Sequence, residues 1–507
     1  MTVSTSTEID QILQSFTDRK DGIPGVVCRA VDKEGNVLYE GVSGLRGLND
    51  ESTPMTTDSV FWIASFTKLI TTIAVMQLVE QGKVELDTPA EQYLDQIGKF
   101  RVLEGHDEND KPIFREPKTK ITLRMMLTHT SGHTYDFFNH NHLKHNKLNN
   151  ISAPFSTKRD TIMAPLGFEP GTRWEYGLGI DWCGQVVETI TGMSLGDYFQ
   201  KNIFEPLGCK DTSFTPTKEQ MGRHAKLHMR REDGTLTQRE YEIADDVEVH
   251  LGGAGCHSTA ADYTAILACL LNDGRSPTTG AQLLKKATVD DMFQDQTTPR
   301  GISLEEPIPN PLPHLSNPLP NLMPGVRKGW GLSFLISHDA LPTGRSAGSV
   351  WWAGIANCYW WADREKGVAG VTLTQIFPFA DVEVFELWGK WEGKLGQFYP
   401  SSLLLWIHCI PIAPRSHDAP STVRYMDLRN ICLRDRRCSI NRDCLYHACV
   451  LTSGVYNVER NSWALYSTPT RASSRSSGHR FRLDHIHSTR AQPTKILSPG
   501  IGSVSLE

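Results

Sequence analysis

Apolar residues along the chain repeat in two ways, and the two repeats sort it into helices and strands. In FWIASFTKLITTIAVMQLVEQGK, residues 61–83, Phe66, Leu69, Ile70, Ile73 and Ala74 recur at spacings of three and four. Val75, Met76, Leu78 and Val79 widen that stripe almost all round, which predicts a helix buried on nearly every side and stopped at Gly82. Upstream, IPGVVCRAVDKEGNVLYEGVSG alternates about DKEGN and predicts a β-hairpin following an amphipathic first helix. Near the other end, VWWAGIANCYWWADREKGVAGVTLTQIFPF predicts two strong strands around DREKG, and DVEVFELWGKWEG a closing helix.

Between these ends the pattern is mostly helical with long loops. LDTPAEQYL offers Asp87 as a cap with Pro89 near the first helical position, and STAADYTAILACLLNDG is a helix capped by Thr259 with Asp262 at capping-box spacing. The stretch GISLEEPIPNPLPHLSNPLPNLMPG holds seven prolines and can be only a loop. Strands from both ends joined in one sheet, with helices between, define an α/β fold: an antiparallel sheet flanked by helices with an inserted, mostly helical domain. We place the catalytic domain at 8–397, its α/β part at about 8–85 and 255–397 and its helical part at about 86–254. Beyond it, periodic apolar patterning fades and the basic residues switch to thirteen Arg and one Lys after residue 400, from seventeen Arg and twenty-one Lys before. Residues 398–507 therefore read as a tail outside the fold, disordered or aberrant in origin.

Charge and composition narrow the partners. A net charge of −6 gives no electrostatic reason for a nucleic-acid partner. No window reaches the roughly 18 consecutive apolar residues of a membrane span, and the first twenty residues lack a basic and then apolar leader, so the expectation is a cytoplasmic protein without membrane contact. In that compartment the scattered Cys28, Cys183, Cys209, Cys256, Cys269 and Cys358 read as reduced core residues.

The buried helix opens with chemistry that its apolar neighbours do not need. Ser65 and Lys68 lie three apart, one above the other on a helix, so the amine reaches the hydroxyl. Burial among Phe, Leu and Ile disfavours the ammonium form and leaves a base usable near neutral pH. Tyr176 follows in FEPGTRWEYGLGIDW, in a Gly-rich loop just before a helix, and Trp352, Ala353 and Gly354 lie on a strand where small residues admit close backbone approach. A metal reading of His133, His140, His142 and His145 lacks ligand spacing, and the neighbouring Phe137 and Phe138 suggest a loop over a pocket mouth. GGAG before Cys256 is not a phosphate-binding loop.

Taken in order, WIASFTKL, MLTHTSGH, FEPGTRWEYGLGIDW, GGAGCHSTAADY and YWWADREKGVAGV resemble the serine β-lactamase and penicillin-binding-protein superfamily, in the esterase and transesterase branch that includes statin acyltransferases. The resemblance implies Ser65 as acyl-accepting nucleophile, Lys68 as its base, Tyr176 as the proton-transfer tyrosine, and an oxyanion hole of the Ser65 and Ile355 N–H groups. Trp352, Ala353 and Gly354 stand where β-lactamases carry Lys-Thr-Gly, and Leu178 stands where they carry Asn. Both departures favour a hydrophobic ester or thioester over a β-lactam. The implied partners are a small acyl donor, free or on an acyl-carrier protein, and a small alcohol such as a polyketide-like metabolite, or water; no cofactor or metal is implied. A β-lactamase-like hydrolase and a non-enzymatic binding descendant of the fold are the alternatives.

Overall fold

The computed structural model describes residues 3–49, 53–239, 247–319 and 321–397, so the expected tail lies outside the described residues. The chain begins with α1, Val3–Thr17, whose Ile9, Leu13 and Phe16 are buried at helical spacing. Strands β1, Gly25–Asp32, and β2, Val37–Gly44, form the expected hairpin, with Asp32 accepting from the Asn36 backbone N–H across the turn at 2.8 Å.

That hairpin joins a meander from the other end of the domain. The seven-stranded sheet runs β2, β1, Val368–Leu373, Cys358–Asp363, Val350–Gly354, Leu335–Ser337 and Lys328–Trp330, each neighbouring pair antiparallel. Successive residues of the central strand face opposite layers. Tyr359 stacks on Trp388 of the closing helix Val382–Gly396, at 4.6 Å between ring centroids, while Trp360 meets Tyr263 of the helix Ala260–Leu271 at 6.4 Å. Both faces are therefore covered, which is why Cys358–Asp363 and Val368–Leu373 are buried at every position instead of alternating. Fully burying an aromatic or aliphatic side chain of this kind contributes about 2 kcal/mol over leaving it exposed. The six described cysteines are buried and free, as their apolar neighbours suggested.

The segment 86–254 carries several helices and also two antiparallel hairpins, Val102–His106 with Pro112–Arg115 and Leu227–Arg230 with Leu236–Arg239. Asp87 does not cap a helix. Its carboxylate is taken by the Arg124 guanidinium in two hydrogen bonds of 2.8 and 2.9 Å, and only a short 3₁₀ turn, Ala90–Gln92, follows. Thr259 does cap its helix, accepting from the Asp262 N–H. Among the described residues no helix is long and apolar enough to cross a membrane.

Candidate active site

Ser65 is presented by a strained connection. The two-residue strand β3, Phe61–Trp62, pairs with His257–Ser258, and the Ile63 N–H donates to Cys256 O at 3.0 Å. Ala64 then takes a positive φ of 44°, unusual for a residue with a side chain, and a single 3₁₀ turn, Ala64–Phe66, leads into α2, Thr67–Glu80. The chain is thereby turned sharply at Ala64, and Ser65 lies within the 3₁₀ turn, two residues before the first residue of α2. Gly82, at a φ of 67°, follows the helix end as its stop. Buried threonines of α2 are satisfied locally: Thr67 donates to Ala64 O and accepts from the Cys256 N–H, and Thr71 donates to Gly252 O.

Lys68 is completely buried. Its Nζ lies 3.3 Å from Ser65 Oγ, 3.1 Å from Tyr135 Oη and 2.7 Å from Gly253 O. The carbonyl can only accept, so it fixes one amine hydrogen. A neutral amine that gives its other hydrogen to Tyr135 has its lone pair left for the Ser65 hydroxyl. Burial pushes the Lys68 pKa down to about 7, against the opposing pull of the Asp181 carboxylate. An unfolded lysine titrates near 10.4, so between those two values the unfolded chain holds the extra proton and folding gains stability as pH rises. We therefore expect the stability difference between wild type and Lys68→Met, measured by denaturant unfolding, to move in favour of wild type from pH 7 to 10.

Tyr176 reaches the same hydroxyl from the other side. The Trp352 indole N–H donates to its phenol oxygen at 2.9 Å, and Lys68 Nζ stands 4.6 Å from its ring centroid. Burial pushes the phenol pKa up, with hydrogen bonds to Ser65 and Trp352 partly offsetting it. The loop that carries it is clipped to MLTHTSGHTY: Gly177 N–H donates to His129 Nδ1, Glu175 N–H to His129 O and Tyr135 N–H to Tyr176 O. His129, itself at a φ of 56°, packs its ring on Tyr176 at 4.5 Å and is held well below the ordinary imidazole pKa by burial and by the Lys68 charge.

Ser65, Tyr176, Trp352, Ala353 and Ile355 line one cleft. Its remaining walls are Phe137, Phe138, Phe155, Trp174 and Phe379, with Ile308, Leu319 and Leu322 from the proline-rich segment, which folds back on itself through a hydrogen bond from Ile308 N–H to Leu319 O. No described residue lining this cleft carries a charge. Past Phe138, Trp174, Tyr176 and Ile308 it opens into a wider polar groove with Asn139, Arg173, Glu175 and Glu306 on its walls. Two of the residues singled out in the sequence lie elsewhere. Gly354 is set behind the cleft, where a Cβ would fall 2.5 Å from Ile63 O, and Leu178 is buried at the start of the helix Gly179–Thr191. Tyr135 was missed, although it lies two residues beyond the HTSGH block. Of the four histidines weighed as a metal site, His133 bonds Ser131, His142 bonds Pro165 O, His140 lines the outer groove and His145 neighbours His106. No group of metal-binding side chains occurs among the described residues.

Residues 9–389 match the beta-lactamase family. The chain belongs to that family. Among its relatives, a lovastatin esterase from Penicillium rubens is 31% identical over 73% of this chain and 96% of its own length. A monacolin J acid methylbutanoyltransferase from Aspergillus terreus is 33% identical over 71% of this chain and 88% of its own. The unliganded selenomethionyl structure of simvastatin synthase from Aspergillus terreus superposes with a TM-score of 0.68 at 28% identity, covering 78% of this chain and 99% of that one. This member of the beta-lactamase family thus has the expected fold of antiparallel sheet and flanking helices, and its similarity runs to the esterase and acyltransferase branch.

Proposed function

We propose that the protein is a serine acyltransferase or esterase that passes an acyl group from a small ester or thioester, through Ser65, to an alcohol or to water. The observation that carries this reading is the Lys68 amine, buried, 3.3 Å from Ser65 Oγ and tied at its other positions to Gly253 O and Tyr135. In the first half-reaction neutral Lys68 takes the Ser65 proton as Oγ bonds to the donor carbonyl. The N–H groups of Ser65 and Ile355 hold the oxyanion that forms. As the tetrahedral intermediate collapses, the bond to the alkoxide or thiolate breaks, and the leaving group receives the proton through the Tyr176 hydroxyl. In the second half an alcohol enters from the outer groove and gives its proton to the Tyr176 and Lys68 pair as its oxygen bonds to the acyl carbon. Ser65 then leaves with that proton restored. Water in the same place gives hydrolysis, and the relatives include both an esterase and a methylbutanoyltransferase.

Trp352, a donor only, fixes the Tyr176 oxygen as acceptor on one side and so directs its proton toward Ser65. The aromatic and aliphatic walls suit a hydrophobic acyl or alcohol part. Intact-mass analysis after incubation with acyl thioesters and esters is expected to show one added acyl group. Added polyketide-like alcohol should discharge that adduct faster than buffer does if transfer is the physiological outcome. Absence of any acyl adduct with every donor, in a protein that also consumes none of them, would remove the proposal.

A further inference from the structure

The stretch GGAG, residues 252–255, had no function in the sequence, yet it lies against the Lys68 amine. Gly253 is gripped at both ends: its carbonyl accepts from Lys68 Nζ at 2.7 Å, and its N–H donates to Asp181 Oδ1 at 2.8 Å. The preceding carbonyl, Gly252 O, accepts from Thr71 Oγ1 at 2.6 Å. A Cβ at 253 would fall 2.4 Å from Asp181 Oδ2, so any larger residue there must push the loop and the carboxylate apart. Asp181 itself is 1% exposed in the first turn of the helix Gly179–Thr191, and its Oδ2 has no hydrogen-bond partner among the described residues. A buried carboxylate with one oxygen unpaired costs stability unless its charge is used.

We propose that Asp181 is a positioning residue that, by anchoring the backbone at Gly253, holds the Lys68 amine against Ser65 and supplies the negative charge that keeps it a competent base. The inference rests on the Ser65–Lys68 reading above. One residue joins the two contacts: Asp181 anchors the N–H of Gly253, Thr71 anchors the Gly252 carbonyl of that same peptide unit, and the carbonyl of Gly253, one Cα further on, orients Lys68. The charge acts across the same small space: Lys68 restrains the upward push that burial gives the Asp181 pKa, and Asp181 restrains the downward push on Lys68. The titratable groups around the pair are Tyr135, whose pKa burial and the Asp181 charge raise, Tyr176, Cys183 and, across the Tyr176 ring, His129. Burial keeps the two phenols and the thiol neutral near pH 7, and His129 neutral as well, so Asp181 is the one carboxylate of the set facing Lys68.

The test is the pH dependence of fluorophosphonate labelling of the full chain from pH 5 to 9, for wild type, Ser65→Ala, Asp181→Asn and Gly253→Ala. Asp181→Asn keeps an acceptor for the Gly253 N–H and removes the charge. Its acidic limb should move to lower pH by about one unit or more, because an unopposed lysine loses its proton sooner, and its plateau should fall about tenfold as the base weakens. Gly253→Ala keeps every titratable group but forces the loop off Asp181, and should move the limb the same way; it carries the test if Asp181→Asn does not fold. A limb left where wild type has it, with only a uniform loss of rate, would overturn the inference alone. Labelling that persists in Ser65→Ala would overturn the catalytic reading and this inference with it.

Discussion

Ser65→Ala is expected to lose all covalent labelling by a fluorophosphonate and to lower ester turnover by on the order of 10⁴-fold or more, because its hydroxyl is the one protein group that takes up the acyl chain in the proposed cycle. The fold should survive. The side chain is small, and one lost hydrogen bond of about 1 kcal/mol moves the melting temperature by only a few degrees. In wild type, labelling should rise with pH through the Lys68 pKa of about 7, since the amine must be neutral to take the serine proton. Labelling of Ser65→Ala at the wild-type rate would put the nucleophile elsewhere. A wild-type profile flat from pH 5 to 9 would instead separate Lys68 from proton transfer and leave Ser65 in place.

How far this site was legible depends on which residues act through local spacing and which through distant approach. Ser65 and Lys68 could be read because three-residue spacing and an apolar surround are both local facts, and the hairpins about DKEGN and DREKG because turn chemistry is local too. Tyr135 and Asp181 could not. Tyr135 reaches Lys68 across 67 positions, and Asp181 acts through Gly253, 72 positions away, so neither carries a periodic signal. The reverse error occurred at Asp87, where a plausible local cap lost its carboxylate to Arg124, 37 positions on. Leu178 and Gly354 follow the same logic: motif alignment put them at the substrate, whereas packing turned one into the core and pressed the other against Ile63 O. The proline-rich stretch was rightly a loop, but only tertiary structure shows it supplying Ile308, Leu319 and Leu322 to the cleft.

That cleft sets the second expectation, that short or branched acyl esters and thioesters are turned over at least about a hundredfold better than penicillins or cephalosporins. A β-lactam brings a carboxylate and an amide that must be paired once water is excluded. At the position where β-lactamases place a lysine, this chain has Trp352, and its indole N–H is already committed to Tyr176 at 2.9 Å. The nearest arginine of the outer groove, Arg173, is itself paired with Glu175 at 2.7 Å. Each polar group left buried without a partner costs roughly 1–3 kcal/mol, and 1.4 kcal/mol is about tenfold in rate, so two such groups give on the order of a hundredfold. An alkyl ester leaves no such group unpaired, and its acyl chain meets Phe137, Phe155 and Leu322 instead of water. The measurement is kcat/KM for p-nitrophenyl butyrate, an acyl thioester and a chromogenic cephalosporin on one preparation. A cephalosporin preferred over both acyl donors would mean that some other group pairs the β-lactam carboxylate, and would overturn the substrate class while leaving acyl transfer through Ser65 standing.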